Sequence, residues 1–170
     1  EIQLSLLARN LDLDRFELIV ISLYERGALV EELESAGISV IGLGKRGRWD
    51  LVGPYRHLVE ILRSFNPEIV HSFLGPPNIL AALAKPRLDH CRLVWGFRAS
   101  NMDLARYDWS HRVTEILQKI LSRRPDRIVV NSHAGRKFST SHGFPATLQT
   151  VIPNGIDTEK FTRDHDAGQS

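Results

Sequence analysis

The chain predicts an α/β domain: a single unit with a doubly wound, mostly parallel sheet of Rossmann-like kind. Three observations carry that prediction. Short, continuous apolar runs rich in Val and Ile alternate along the chain with longer segments of helical periodicity. The short runs lack the strict in-and-out alternation of a half-exposed strand, as strands covered by helices on both faces do. With 170 residues, 42% hydrophobic and 25% charged, the chain is long enough to bury a proper core and ordinary in composition for one globular domain.

The elements follow in order. Ile2, Leu4, Leu7, Ala8 and Leu11 read as an amphipathic helix at the very start. Phe16 to Leu23 reads as the first strand, and Leu29 to Ala36 as a helix ended by Gly37. A strand over Ser39 to Leu43 leads to a helix in which Tyr55, Leu58, Val59, Leu62 and Phe65 share a face. Pro54 opens that helix and Asn66-Pro67 stops it. Strands follow over Glu68 to Phe73 and Arg92 to Phe97. Val113, Ile116, Leu117, Ile120 and Leu121 repeat the one-face helical spacing before Pro125. Arg127 to Asn131 and Leu148 to Ile152 complete the set of strands. Strand–helix alternation of this kind builds right-handed crossovers. A doubly wound sheet grows outward from a first central strand, yet this chain opens on a helix. The expectation is that a first strand is missing ahead of Ile2, that the domain spans residues 1–161, and that residues 162–170 are linker or loose tail.

Composition narrows the function classes. The formal charge of +2 is too slight to argue for nucleic acid, and aromatic platforms are not interleaved with the basic residues. The positives are uneven: Lys119, Arg123, Arg124, Arg127, Arg136 and Lys137 fall close together, a solvated helix face or a patch for anionic lipid headgroups. One cysteine, Cys91, rules out an internal disulfide and fits a reducing, cytoplasmic setting. No apolar window is long enough to span a bilayer. The seven histidines lack zinc-site spacing, so no metal is expected. His90-Cys91 makes a poor nucleophile pair. No P-loop or dinucleotide fingerprint occurs, and Gly42 to Gly47 reads as a flexible connector.

Ligands of open α/β sheets bind beyond the carboxyl ends of the strands. That rule nominates His71 and Asn78 after the third strand, Arg98, Ser100 and Asn101 after the fourth, Ser132 after the fifth, and Asn154 and Gly155 after the sixth. Each has a plainer role beside the functional one. His71 fits a core histidine, Ser132 a helix N-cap, and Asn154-Gly155 a tight turn. Gly75-Pro76-Pro77 first of all launches a helix. Arg98 is the strongest candidate, because a planar charged fork after a strand end suits phosphate or carboxylate. Its plain alternative is a surface pair with Asp103.

The string V-I-P-N-G-I-D-T-E-K-F over residues 151–161 resembles the junction segment of the family 4 (group 1) glycosyltransferases. Further segments fit the same likeness. They are R-F-E-L-I-V-I-S-L, A-G-I-S-V-I-G-L-G, R-G-R-W-D-L, N-P-E-I-V-H-S-F-L and R-R-P-D-R-I-V-V-N-S-H-A-G-R-K-F, together covering residues 1–161 in order. The resemblance implies the N-terminal, acceptor-binding half of a GT-B fold whose C-terminal donor domain lies beyond this chain. It implies a retaining enzyme without metal or cofactor. Such an enzyme moves a sugar from a nucleotide sugar to a lipid-linked or saccharide acceptor at the cytoplasmic membrane face, in polysaccharide assembly. Many members carry a histidine where this chain has Arg98, within G-F-R-A-S-N. Arginine cannot act as a neutral-pH base, but it can stabilise a leaving diphosphate or place the acceptor. The fragment alone is expected to be inactive. The rival reading is a non-catalytic Rossmann-like module that holds a nucleotide, sugar or protein partner.

Overall fold

The apolar runs form six short parallel strands, and the helical segments lie between them in chain order. The computed structural model describes residues 2–47, 50–97 and 109–155. The strands are β1 (Ile19–Ser22), β2 (Ser39–Gly42), β3 (Ile69–Phe73), β4 (Arg92–Phe97), β5 (Arg127–Val130) and β6 (Gln149–Val151). The helices are α1 (Ile2–Arg9), α2 (Ala28–Ser35), α3 (Val52–Phe65), α4 (Gly75–Ala84), α5 (Trp109–Leu121) and α6 (His133–Ser141). The Rossmann-like prediction therefore holds.

Helix stops fall where the backbone chemistry places them. α3 ends on Asn66 at φ 50°, a left-handed angle that asparagine tolerates, and Pro67 cannot continue the helix. α2 ends on Gly37 at φ 76°, with Ile38 N–H bonded back to Leu33 O and Gly37 N–H to Glu34 O. This paired closure satisfies two carbonyls that the helix end would otherwise leave open. Two sequence expectations shift. β1 begins at Ile19 instead of Phe16, because the N–H groups of Arg15 and Phe16 bond Asp12 O in a turn that leaves Phe16 exposed. α5 forms as predicted, but Val113, Ile116, Leu117 and Ile120 face solvent and only Leu121 is half-buried against the core.

Three clusters make the interior. Leu93, Trp95, Ile128 and Val130 of β4 and β5 pack with Ala81 and Ala82 of α4 and with Phe144. Each large side chain fully buried this way contributes about 1.5–3 kcal/mol. Leu58, Val59 and Leu62 of α3 meet Leu80 and Ala84 of α4, and reach Ile21 of β1 and Val70 of β3. Ala8 of α1 and Leu33 of α2 close over Val20, with Ile38 beside them. At the amino edge of the sheet, the Asp126 carboxylate accepts from Lys85 Nζ at 2.6 Å, from the Leu93 N–H at 2.8 Å and from Arg92 at 3.4 Å. Burial pushes this carboxyl up. The hydrogen bonds from Lys85, Leu93 and Arg92 outweigh it and hold the group below the ordinary carboxylate range.

The ladders divide into a pair, β1 with β2, and a run, β3-β4-β5-β6; no ladder joins β1 to β3. α3 nevertheless packs on residues of both sheets. Among the described residues, β1 pairs only with β2 and β3 only with β4, so each keeps one edge without a ladder partner.

Two predictions follow from these contacts. A chain extended by a strand-forming segment ahead of Ile2 is expected to melt several degrees higher, with added amide protection in β1 and β3. An unchanged melting curve and exchange pattern would leave the two edges without a missing partner. The Asp126 contacts should show in acid: their stabilisation is intact above the unfolded aspartate pKa of about 3.9 and is lost as pH falls through the lower folded value. Asp126→Ala should cost about 1–3 kcal/mol in urea unfolding at neutral pH, and this difference should shrink on acidification.

Candidate functional site

Parallel pairing sends every strand's carboxyl end to one edge. Phe97, Val130 and Val151 stand level across β4, β5 and β6, while Phe73 of β3 pairs with Gly96. On one face of this edge the rings of His71 and Phe73 lie 4.2 Å apart, centroid to centroid. Both rings lie over Gly96: a Cβ there would stand 2.6 Å from Phe73 Cδ1 and 3.3 Å from His71 Nε2. Glycine alone lets β3 bring these rings down onto β4. On the opposite face, Trp95 stacks beside Phe97, and Phe97 meets Phe144 edge-on at 4.9 Å.

The turn out of β3 is unusual. Leu74 adopts φ 74° and ψ 163°, an angle that a side chain with a Cβ disfavours, and it is exposed on the rim. α4 then opens with Gly75-Pro76-Pro77. The prolines have no N–H to offer, so this helix start is a weak anion site. Asn78 lies beneath the rim, fully buried at 0% exposure. Its Oδ1 accepts from Ser72 Oγ at 2.7 Å, and its Nδ2 donates to Gln118 Oε1 at 3.3 Å. Asn78 therefore ties β3, α4 and α5 together, and in this position it offers no surface to a substrate.

Ser132 caps α6, its Oγ accepting from the Gly135 N–H at 3.0 Å. The sixth strand's exit reaches across to the first helix. Gln3 Nε2 donates to Gly155 O at 2.7 Å, and the Gly155 N–H donates to Gln3 Oε1 at 3.0 Å. Asn154 and Gly155 are exposed there. Nothing in the sequence marked Gln3, since its partner lies 152 residues away. The rim thus carries Leu74, Ser132, Asn154 and Gly155, with Gln3 tied to Gly155, while His71 sits two residues inside β3, level with Val94, with its Nε2 buried. Arg98, Ser100 and Asn101, with Asp103, lie outside the described residues.

Other chemistry is sparse. Cys91 is buried, and that burial pushes its thiol pKa up, which leaves an unreactive thiol. Among the described residues, no group of three His, Cys, Asp or Glu side chains is arranged to hold a metal ion. No described helix is long and apolar enough to cross a membrane. A depression of about 650 Å³ lies at the other, amino edge of the sheet, where Lys85, Arg92, Arg123, Arg124 and Arg127 surround Asp126. It gathers three of the six basic residues singled out in the sequence; Lys119, Arg136 and Lys137 are not among its lining.

A layered α/β unit of parallel strands covered by helices, with an aromatic and polar rim at the strand ends, is a half domain of Rossmann-like type. The profile of Glycosyltransferase Family 4 matches residues 1–160, and the chain belongs to that family. Its members typically need no cofactor. Among curated proteins no sequence matches. Among solved structures, Anabaena Alr3699/HepE in complex with UDP-glucose superposes with a TM-score of 0.73 at 20% identity, over 93% of this chain and 41% of that one. A Listeria monocytogenes protein provisionally assigned as a UDP-N-acetylglucosamine 2-epimerase gives 0.68 at 18% identity, over 90% and 42%. A glycosyltransferase from Rickettsia africae gives 0.61 at 19% identity, over 92% and 39%. At these identities the likeness is one of fold. The chain spans about two fifths of each of these structures, and so corresponds to a single half domain.

The buried amide makes a separable prediction. Asn78→Ala should lower stability by about 1–3 kcal/mol in urea unfolding, because Gln118 loses its partner inside the core. Loss of ligand affinity with unchanged stability would instead return Asn78 to the rim.

Proposed function

We propose that this chain is the acceptor-binding half of a retaining glycosyltransferase that transfers a sugar from a nucleotide sugar to a lipid-linked or saccharide acceptor. The observation that carries this reading is the carboxyl rim, where the exits of β3, β5 and β6 converge and Gln3 is tied to Gly155. The family match supplies the reaction class. A second domain would face that rim, hold the donor nucleotide and close the cleft. In the transfer, the bond between the anomeric carbon and the diphosphate breaks, and the electron pair leaves with the diphosphate. An acceptor hydroxyl oxygen takes its place on the same face of the sugar and passes its proton to the departing diphosphate oxygen. Arg98, the first residue after β4, carries a fixed positive charge suited to the leaving diphosphate. Ser100, Asn101, Asn154 and His71 supply hydroxyl, amide and imidazole groups for sugar hydroxyls. Held alone, the half lacks the near-attack geometry on which transfer depends and is inactive. The enzyme would work in polysaccharide assembly at the cytoplasmic face of a membrane, with Arg123 and Arg124 towards anionic headgroups.

The test uses the intact protein with UDP-glucose as donor and a set of soluble saccharide acceptors, with products read by mass spectrometry and NMR. A new glycosidic bond of retained anomeric configuration is the expected result. Epimerised donor without transfer would point to the chemistry ascribed to the Listeria structure, and binding without turnover to a non-catalytic module. Arg98→Ala in the same protein should cut kcat/KM about a hundredfold or more while leaving the melting temperature in place. Unchanged turnover would remove Arg98 from the site.

A further inference from the structure

The amino edge of the sheet gathers more positive charge than its contacts use. Lys85, Arg92, Arg123, Arg124 and Arg127 line the depression of about 650 Å³ there, and Asp126 is the one acidic residue among its lining. Helix ends explain two of the five cations. Helices that cross back between parallel strands finish at this edge, where their last carbonyls attract positive charge. Lys85 Nζ donates to Arg124 O at 2.8 Å just past α5, and Arg124 donates to Ala82 O at 3.2 Å in the last turn of α4. Asp126 is already engaged: Lys85 and the Leu93 N–H share its Oδ2, and Arg92 reaches Oδ1 at 3.4 Å. The Arg92 side chain is nonetheless 75% exposed. Arg127 donates through Nη1 to the Asp126 carbonyl and keeps its other N–H groups for another partner. Among the described residues no carboxylate pairs with Arg123, Arg124 or Arg127. Register gathers the guanidinium groups: Val94 stands level with Arg127, so Arg92, two residues earlier, shares their face of the sheet. Arg123 reaches the same basin from the turn between α5 and β5. Val94 and Leu148 are the apolar side chains of the lining besides Pro125, and both are half-buried. A concave, cationic basin of this kind suits a small polar anion.

We propose that this basin binds a soluble phosphate anion of two or more negative charges, a phosphomonoester or a diphosphate, at the opposite end of the strands from the carboxyl rim. Arg92, Arg123 and Arg127 hold its oxygens, because the planar guanidinium fork meets phosphate oxygens in pairs. A singly charged ion would leave most of the excess positive charge unbalanced while Asp126 repels it. The inference goes beyond the transfer reaction, since it involves neither sugar donor nor acceptor. It competes with the headgroup role proposed for Arg123 and Arg124, and the two are separable by experiment.

The experiment is calorimetric titration of the intact protein with inorganic pyrophosphate, with sulfate at equal ionic strength as the control. Saturable binding of pyrophosphate that weakens with added potassium chloride is the expected result. Arg123→Gln and Arg127→Gln should each weaken it about fivefold or more, the scale of one charge-assisted contact, and the double variant should abolish it. Asp126→Asn should tighten it about threefold, a gain that partial unfolding cannot produce. Arg63→Gln, which removes an exposed arginine of α3 outside the depression, should leave it unchanged. Arg98→Ala should also leave it unchanged, whereas a diphosphate seated at the carboxyl rim would be lost with Arg98. Circular dichroism melts of each variant separate loss of binding from loss of fold. The titration contains no sugar donor, so its outcome stands whether or not transfer is observed. The proposal is overturned if pyrophosphate does not bind, if its binding survives the double variant, if folded Asp126→Asn weakens it, or if sulfate binds as tightly. Protein that ignores pyrophosphate yet floats with phosphatidylglycerol vesicles also overturns it and leaves Arg123 and Arg124 to headgroups. Capture of polyglutamate in place of pyrophosphate overturns it as well, in favour of an acidic protein segment.

Discussion

The register of the four parallel strands β3 to β6 is the constraint on which the rest depends. Pairing of Phe73 with Gly96, and of Phe97 with Val130, sets how far each strand projects before its chain turns away. A slip of one residue would turn the buried Leu93, Trp95, Ile128 and Val130 towards the other face. It would also bring a side chain under the Phe73 ring, where only Gly96 leaves room. The packing therefore fixes the register, and the register fixes which residues stand on the rim. The make-up of the rim is a consequence of where close-packed strands are allowed to stop.

That dependence explains what the sequence disclosed. The strands were legible because residues buried on both faces are apolar without interruption, and β4 matches its expected span, Arg92 to Phe97, residue for residue. Helix ends were legible wherever a left-handed angle demanded Gly or Asn, as at Gly37 and Asn66. Ser132 as an N-cap needed only local chemistry. The overlong first strand failed because apolar character at Phe16 says nothing of the Asp12 turn that captures its N–H.

What the sequence left unread at the candidate site has another cause. Asn78 follows a strand end by five residues and carries an amide, so position and chemistry both nominated it. Whether such an amide looks out or in depends on Gln118, 40 residues further on, and no local pattern announces that partner. The Gln3–Gly155 pair spans nearly the whole chain and is equally silent in sequence. Strand order belongs to this class too: each half of the sheet was readable, but the open edges of β1 and β3 appear only when the ladders are laid side by side.

Helical periodicity reveals that α5 has an apolar side; it does not say which way that side faces. The direction is decided by what the neighbouring helix needs. Ser72, Asn78 and Gln118 form a buried polar chain, and leaving the Asn78 amide without a partner would cost about 1–3 kcal/mol. Gly75 meanwhile admits Thr114 at a distance that a larger residue on either helix would forbid. Turning the apolar side inward would break the amide chain and set Ile116 or Ile120 against a surface shaped for Thr114. Burying two such side chains is worth about 3–6 kcal/mol where they fit, but that gain is forfeited where packing them forces strain. The core therefore holds α5 by its polar side, and the apolar side is left outward as a consequence of how α4 and α5 meet.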